Sequence, residues 1–427
     1  MSIRSSRLAG FDRLPLDERW QVLATAAGLD ARDMAALADE RPLPLASAAR
    51  RTENAVALHV LPLGVGLNFV INDRPVLVPM VTEEPSVIAA ASNAARLALA
   101  GGGFRAEADP PVMTAQVQLC DVADPDAACE RLHAATAEVM AAVDRAAPGM
   151  VARGGGSRGI EVRRVAAPLG RCFVVVHLYV DVGDAMGANA VNTIAEACAP
   201  LLATIAGGRA HLRILSNLAD HRLARASVQI PSEALATGSL TGELVVAGIE
   251  EASLFAEADP WRATTHNKGI MNGIDAVALA TGNDWRALEA GAHAFAARGG
   301  SYGPLATWRR TATGLAGQIE LPVAVGTVGA TVEGNPRTQL ALRLLGGPGA
   351  RELAAILAAV GLAQNFGALR ALATDGIQRG HMARHARAVA IAAGAPPARV
   401  EAIAAALIRT GEVKVERARS LLDEADS

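Results

Sequence analysis

The chain has 427 residues, 51% of them apolar and 19% charged, which excludes wholesale disorder and is enough for the cores of two to three domains. Lys plus Arg number 40 against 43 Asp plus Glu, a formal net charge of −3, and aromatics are 3%, so neither a polyanion footprint nor stacking platforms for nucleic acid are present. Mean hydropathy is +0.25 but comes largely from alanine, and the apolar stretches are cut by Gly, Pro or charge before a span of about 20 residues, so no membrane span is expected.

Along the chain, apolar spacing predicts short polar helices over 16–23 and 30–39. Residues 65–71 and 76–80 flank Asn72-Asp73-Arg74-Pro75 and read as a β-hairpin. An alanine-rich helix is expected over about 85–100, with Pro85 in its first turn and Gly101-Gly102-Gly103 ending it. From about 110 to 215 the pattern is strand 112–119, helix 126–147, strands 159–165 and 172–180, helix 189–206 and strand 209–215. This β-α-β-β-α-β order is the ferredoxin-like arrangement, expected as a small inserted domain. Helices and strands then alternate to about 370, with helices over 284–297 and 349–360 and a strand over 318–325. The rest is expected to be helical, with a break at 394–397. The first twelve residues lack the apolar segment of a secretory signal, and Cys120, Cys129, Cys172 and Cys198 are widely spaced. We therefore expect free thiols in a cytoplasmic protein.

Several patterns stand in the wrong context. Gly154-Gly155-Gly156-Ser157-Arg158-Gly159 satisfies G-x-G-x-x-G and, around Ser157, G-x-S-x-G. Both motifs need a strand before and a helix after, whereas a strand follows here, so a hairpin turn is the better reading. His381 and His385 have the i, i+4 spacing of zinc ligands, without a Glu between them or a third ligand, and no metal is expected.

Four segments carry unusual chemistry. In 78–92, Glu83 and Glu84 precede an apolar helix, a position that also suits plain charge complementation of a helix N-terminus. In 263–275, Lys268 sits among small and apolar residues, in what reads locally as a glycine-rich surface loop or a place of close backbone approach. In 280–293, Asn283 or Asp284 suits an N-cap. In 376–387, His381 lies near a helix end.

Taken together, the wording of these segments resembles the class II, soluble bacterial 3-hydroxy-3-methylglutaryl-CoA (HMG-CoA) reductases. Further matching runs are Glu53-Asn54, Asp184-Ala185-Met186-Gly187-Ala188-Asn189, 213–220 and 361–365, and the likeness extends from about residue 5 to near the C-terminus. The resemblance implies an α+β fold. A large mixed α/β substrate and dimerisation domain (1–109 and 220–374) is split by a ferredoxin-like cofactor domain (110–219) and followed by a helical flap (375–427). It implies reduction of HMG-CoA to mevalonate and coenzyme A by two hydride transfers, through a CoA hemithioacetal and an aldehyde, in a homodimer or an assembly of dimers.

It also implies roles. Lys268 supplies a cation at the developing oxyanion, Glu84 protonates the aldehyde oxygen, Asp284 links the two, and His381 protonates the CoA thiolate. Ser86, Arg262, Asn217, Asn272 and Gln364 fall at substrate positions, with Arg262 suited to the free carboxylate. Asp184, Ala185, Met186, Gly187 and Asn189 form the nicotinamide-cofactor motif before a helix N-terminus. NADH is the expected cofactor, with NADPH as the alternative. Gly159 stands where NADH-using relatives often have Asp, so the repulsion of a 2′-phosphate is absent, and Arg153, Arg158, Arg163 and Arg164 lie nearby. Ala57 replaces a family glycine near the substrate region. A CoA-ester-binding relative with little turnover is the alternative function.

Overall fold

The structure, a computed structural model, describes residue 3 and residues 5–40, 43–374 and 377–426, with the side chains of 330, 331, 377–384, 425 and 426 outside the description. The chain enters through α1 (Leu16–Ala27), α2 (Ala31–Ala38) and the single turn α3 (Leu45–Ala48). A reciprocal capping box starts α2: the Asp30 side chain accepts the Asp33 N–H, and the Asp33 side chain accepts that of Asp30. β1 (Leu63–Ile71) and β2 (Arg74–Val81) form the expected hairpin. Its Asn72 and Asp73 have φ of 51° and 63°, as a two-residue type I′ turn requires. Helix α4 (Val87–Ala98) begins later than expected. Ser86 is its N-cap, at φ 82°, and Pro85 lies outside the helix.

After β3 (Phe104–Ala108) and β4 (Val112–Cys120), the single helix expected over 126–147 is two, α5 (Pro125–Ala134) and α6 (Thr136–Ala146). At the break, the Thr136 hydroxyl donates to the His133 carbonyl at 2.7 Å, a side-chain competitor for a helical acceptor. A single turn, α7 (Pro148–Val151), precedes β5 (Gly156–Ala166), so the second half of the glycine run is strand rather than turn. β5 shifts register against β6 (Cys172–Asp181) between Ser157 and Gly159, and Gly159 takes φ 134° at this bulge. Helix α8 (Ala188–Ala206) and β7 (Arg209–Leu215) complete a four-stranded antiparallel sheet ordered β5-β6-β4-β7. Alternate β6 residues Val174, Val176, Leu178 and Val180 are fully buried under its helices.

β8 (Leu223–Pro231) returns to the first sheet and is followed by α9 (Ser232–Leu235), α10 (Gly242–Ala258), α11 (Pro260–Ala280), α12 (Trp285–Ala296), β9 (Ala306–Arg310) and β10 (Gly314–Pro322). The six strands are ordered β2-β1-β3-β8-β10-β9. Then come α13 (Ala330–Glu333), α14 (Pro336–Leu344) and α15 (Ala350–Ala373), and finally α16 (Ile377–Ala392), α17 (Val400–Thr410) and α18 (Val415–Asp426) around their own small core. β10 stops three residues short of the expected end, where Val323 N–H turns to the Arg222 carbonyl at 3.0 Å.

Helix α15 runs well past the expected residue 360. Its 24 residues are long and apolar enough to cross a membrane, contrary to the sequence expectation, yet 83% of its most apolar window is buried inside the protein. A helix apolar all round is what a core centre needs. The run expected as a glycine-rich loop is the middle of α11, packed against α15. A Cβ on Gly273 would lie 2.9 Å from Gln364 Cβ, and one on Gly361 2.9 Å from Ile274 Cδ1. The glycines therefore serve helix–helix approach, and tertiary packing overrides their poor helix propensity.

Candidate functional site

Helix α11 is started by Asp259, whose carboxylate accepts the Arg262 N–H at 2.9 Å, with Pro260 in the first turn. From that start, Lys268, Asn272 and Asp275 recur at helical spacing on one face. Glu84 comes from the loop between β2 and α4, where Thr82 Oγ1 accepts its N–H at 3.2 Å. Lys268 Nζ lies 3.1 Å from Glu84 Oε2, and both side chains remain open to solvent. Beside this pair, a cavity of about 400 Å³ is lined by Glu83, Glu84, Asn272, Asp275 and Trp285 among others.

Ser86 Oγ and Gln364 Oε1 are buried without a hydrogen-bond partner. Gln364, on α15, packs on Gly273, one residue from Asn272. Orphaned buried polar atoms are rare in folded proteins and mark places where a ligand completes the bonding. Arg262 is half-buried, burial pulls its guanidinium below the usual range, and it makes no ion pair among the described residues. Asn217 is exposed, its backbone beside Gly291 of α12.

Asp284 caps α12. Its Oδ1 accepts the N–H groups of Arg286 and Ala287 at 3.1 and 3.2 Å and meets Arg286 Nε at 3.2 Å. The structure brings together Lys268, Glu84 and Asn272, while Asp284 is engaged with its own helix instead of with the ion pair. His381 lies within α16, but its side chain is outside the described residues. Ser157 Oγ donates to Asp144 Oδ2 at 3.0 Å, from a strand and not a nucleophile elbow.

The 184–189 turn links β6 to α8. Asp184 Oδ1 accepts the N–H of Ala350, the first residue of α15, at 2.8 Å, and its carbonyl accepts Thr327 N–H at 2.9 Å. Gly187 caps α8 at φ 95°, where a Cβ would lie 2.6 Å from Val182 Cγ1. Ala185 and Met186 offer their carbonyls to Arg222 at 3.4 and 3.1 Å, and Val325 offers a third. Arg222 is 3% exposed, and burial lowers its pKa to about 10. Removing it in Arg222→Met orphans these carbonyls, and urea unfolding is expected to show a loss of about 2–3 kcal/mol. Asp184, Ala185 and Arg153 border a cavity of about 630 Å³, and α8 begins three residues after Ala185.

Asn189 is in the first turn of α8, and Gly159 is on β5. Of the four arginines around Gly159, Arg158 pairs with Asp181 at 2.9 Å, Arg164 with Asp126 at 2.9 Å, and Arg163 lies on His177 at 2.8 Å. Arg153 alone of the four makes no ion pair among the described residues. Sequence reasoning missed Arg222, and it missed Asp275. The latter closes the Lys268 run at a spacing of seven, two helical turns on, which was the available signal.

A sequence model of the family described as hydroxymethylglutaryl-coenzyme A reductase matches residues 15–386. The chain is 46% identical over 424 residues to the 3-hydroxy-3-methylglutaryl-coenzyme A reductase of Archaeoglobus fulgidus, covering 99% of this chain and 95% of that one. It is 36% identical over 333 residues to a Borreliella burgdorferi protein described as a probable 3-hydroxy-3-methylglutaryl-coenzyme A reductase, covering 78% and 76%. The solved reductase from Streptococcus pneumoniae superposes with a TM-score of 0.84 at 41% identity, covering 98% of this chain and 99% of that one. A structure of that organism's class II enzyme bound to NADPH in open conformations gives 0.83 at 42% identity, covering 86% and 99%. This chain belongs to the hydroxymethylglutaryl-coenzyme A reductase family.

Proposed function

We propose that this chain reduces the thioester of HMG-CoA to the primary alcohol of mevalonate, releasing coenzyme A and consuming two reduced nicotinamide dinucleotides and two protons. The observation that carries the reading is the 3.1 Å contact of Lys268 with Glu84 beside a cavity that also presents Asn272. The dinucleotide supplies hydride to the carbonyl carbon. Lys268 holds its ammonium against the oxygen on which charge develops, and Glu84 gives that oxygen its proton. His381 protonates the departing CoA thiolate; a role for Asp284 beside the acid–base pair is what the family resemblance implies, since here its carboxylate caps α12 and meets Arg286. Arg262 receives the free carboxylate of the acyl group, while Ser86, Asn217, Asn272 and Gln364 complete the acyl site. The unpartnered Ser86 Oγ and Gln364 Oε1 support that placement.

In this reading, residues 1–109 and 220–374 hold the acyl substrate, 110–219 hold the dinucleotide at 184–189, and 375–427 close over the site. The protein acts in the cytoplasm as a homodimer or an assembly of dimers. The exposed run Val56, Leu58 and Val60, next to Leu61 of the cavity wall, supports an assembly.

The test is the fall in reduced-nicotinamide absorbance on adding HMG-CoA. Two equivalents oxidised per CoA released establish the reductase. Binding of HMG-CoA without oxidation of either cofactor overturns that reading in favour of a binding protein with little turnover.

The cofactor reading includes NADPH. Gly159 brings no acid, and Arg153 is left to meet a 2′-phosphate. Arg153→Ala is expected to raise KM for NADPH about tenfold, the loss of one charge-assisted contact of about 1.4 kcal/mol, and to leave KM for NADH within about twofold. Parallel initial-rate kinetics with the two cofactors check this.

A further inference from the structure

A short strap, residues 323–327, leaves the end of β10 and runs between two places that the roles above treat separately. On one side it holds the 184–189 turn. Thr327 N–H donates to the Asp184 carbonyl at 2.9 Å. The Val325 carbonyl accepts from Arg222, whose guanidinium also takes the carbonyls of Ala185 and Met186. Gly326 packs on the turn so closely that a Cβ there would meet Met186 N and lie 2.8 Å from the Ala185 carbonyl carbon.

On the other side the strap meets the corner between α11 and α12. Asn283, whose sequence position also suited an N-cap, leaves that task to Asp284 and turns its amide to the strap. Its Oδ1 accepts the Gly326 N–H at 2.7 Å, and its Nδ2 donates to the Gly326 carbonyl at 3.1 Å. Nδ2 also donates to Thr281 Oγ1, on the last turn of α11, at 3.0 Å. Gly326 is buried, where both of its backbone groups need a protein partner. Asn is the short side chain that serves both at once, since an ionised Asp accepts without donating. The Asn283 N–H donates to the Ala278 carbonyl at 2.8 Å, so the corner that carries the amide is itself tied to α11.

We propose that Asn283 is a positioning residue, which acts through Gly326 to set the 184–189 turn against the helix that carries Lys268. The proposal rests on the reductase reading, in which the turn holds the dinucleotide and α11 presents Lys268 and Asn272 to the acyl group. Hydride donor and acceptor are then carried by different parts of the chain. Reacting atoms must be held about 3–3.5 Å apart, and misplacement by about 1 Å can cost roughly 10²-fold in rate. Asn283 braces one part directly against the other: corner to amide, amide to Gly326, and Gly326 to the backbone of Ala185 and Met186.

The first test needs no substitution and no turnover. Hydrogen exchange of the whole wild-type enzyme, read by mass spectrometry, is expected to slow about threefold or more at 281–286 and at 324–328 when saturating NADH or NADPH is bound. In Asn283→Ala with the dinucleotide still bound, the protection of 324–328 is expected to remain and that of 281–286 to be lost. Without dinucleotide, the same variant is expected to exchange faster at 184–189, which its side chain does not touch.

In steady-state kinetics, Asn283→Ala is expected to lower kcat about tenfold and to leave KM for HMG-CoA and for the dinucleotide within about threefold. Gly326→Ala, which pushes the strap from the side of the turn, is expected to lower kcat similarly. The double variant is expected to be no slower than the slower single one, because both break one brace; two unrelated structural defects would multiply. Wild-type exchange at 281–286 that ignores the bound dinucleotide, wild-type kcat in Asn283→Ala, or multiplied losses in the double variant each overturn the brace and leave the reductase intact. Failure of the wild type to oxidise either cofactor overturns the reductase reading instead.

Discussion

Replacing Lys268 by Met is expected to lower kcat about 10³-fold while leaving the fold and the affinity for HMG-CoA nearly unchanged. The ammonium, 61% exposed, reaches Glu84 at the mouth of the cavity, and its stem leaves a helix whose other face is buried against α15. Little packing is lost in the exchange. In the proposed reaction, what is lost is the cation at the oxygen that becomes negative on hydride addition, and one such electrostatic contact is worth about 10²–10³ in rate. Loss of the partner of Glu84 adds to this, because an acid and a cation in contact act as a unit. Steady-state kinetics and equilibrium binding of HMG-CoA check the split. A variant with weakened binding and unchanged kcat would assign Lys268 to substrate affinity alone.

Trp308→Ala is expected to be the most destabilising single change in the large sheet, at about 4 kcal/mol. The indole is fully buried, lies 5.3 Å from the Phe366 ring, and donates from Nε1 to Asn365 Oδ1 at 2.7 Å. Gly317 lies against the ring, where a Cβ would come within 2.3 Å of Cζ3. Removing the ring opens a cavity between β9, β10 and α15 and orphans a buried amide oxygen. Asn365 also donates to the carbonyl of His266, two residues before Lys268, so the change reaches the site through α11. A thermal midpoint lower by at least about 5 °C is the expected readout. Trp308→Phe, which keeps most of the packing, should lose about half as much.

The elements that sequence reading located are those whose signal is local. The 72–73 turn needs two positive-φ residues, and Asn-Asp supplies them. The alternation in β6 and the helix start at Asp30 are likewise written in neighbouring residues. The chemistry-bearing runs around Glu84, Lys268, Asp284 and 184–189 were legible as words shared with a family. Their geometry was not. Gly269 and Gly273 read as loop because helix propensity is a local quantity, whereas their fit against α15 depends on residues some ninety positions away. The break at Ala135 escaped notice because a threonine hydroxyl competing for one carbonyl leaves the apolar period intact. The four arginines near Gly159 looked equivalent until their partners on β6 and α5 were known.

By itself, the sequence determined the class of most elements, the family and the residue types available for acid–base chemistry, since these depend on composition, short-range period and exact wording. Only the tertiary structure decided which of those residues meet. It joined Lys268 to Glu84, set Asp184 on the first amide of α15, and enclosed Arg222 behind the 184–189 turn. Each joins positions that no local pattern connects, and at Arg222 burial also removes water as the competing partner and leaves the buried guanidinium to find carbonyls.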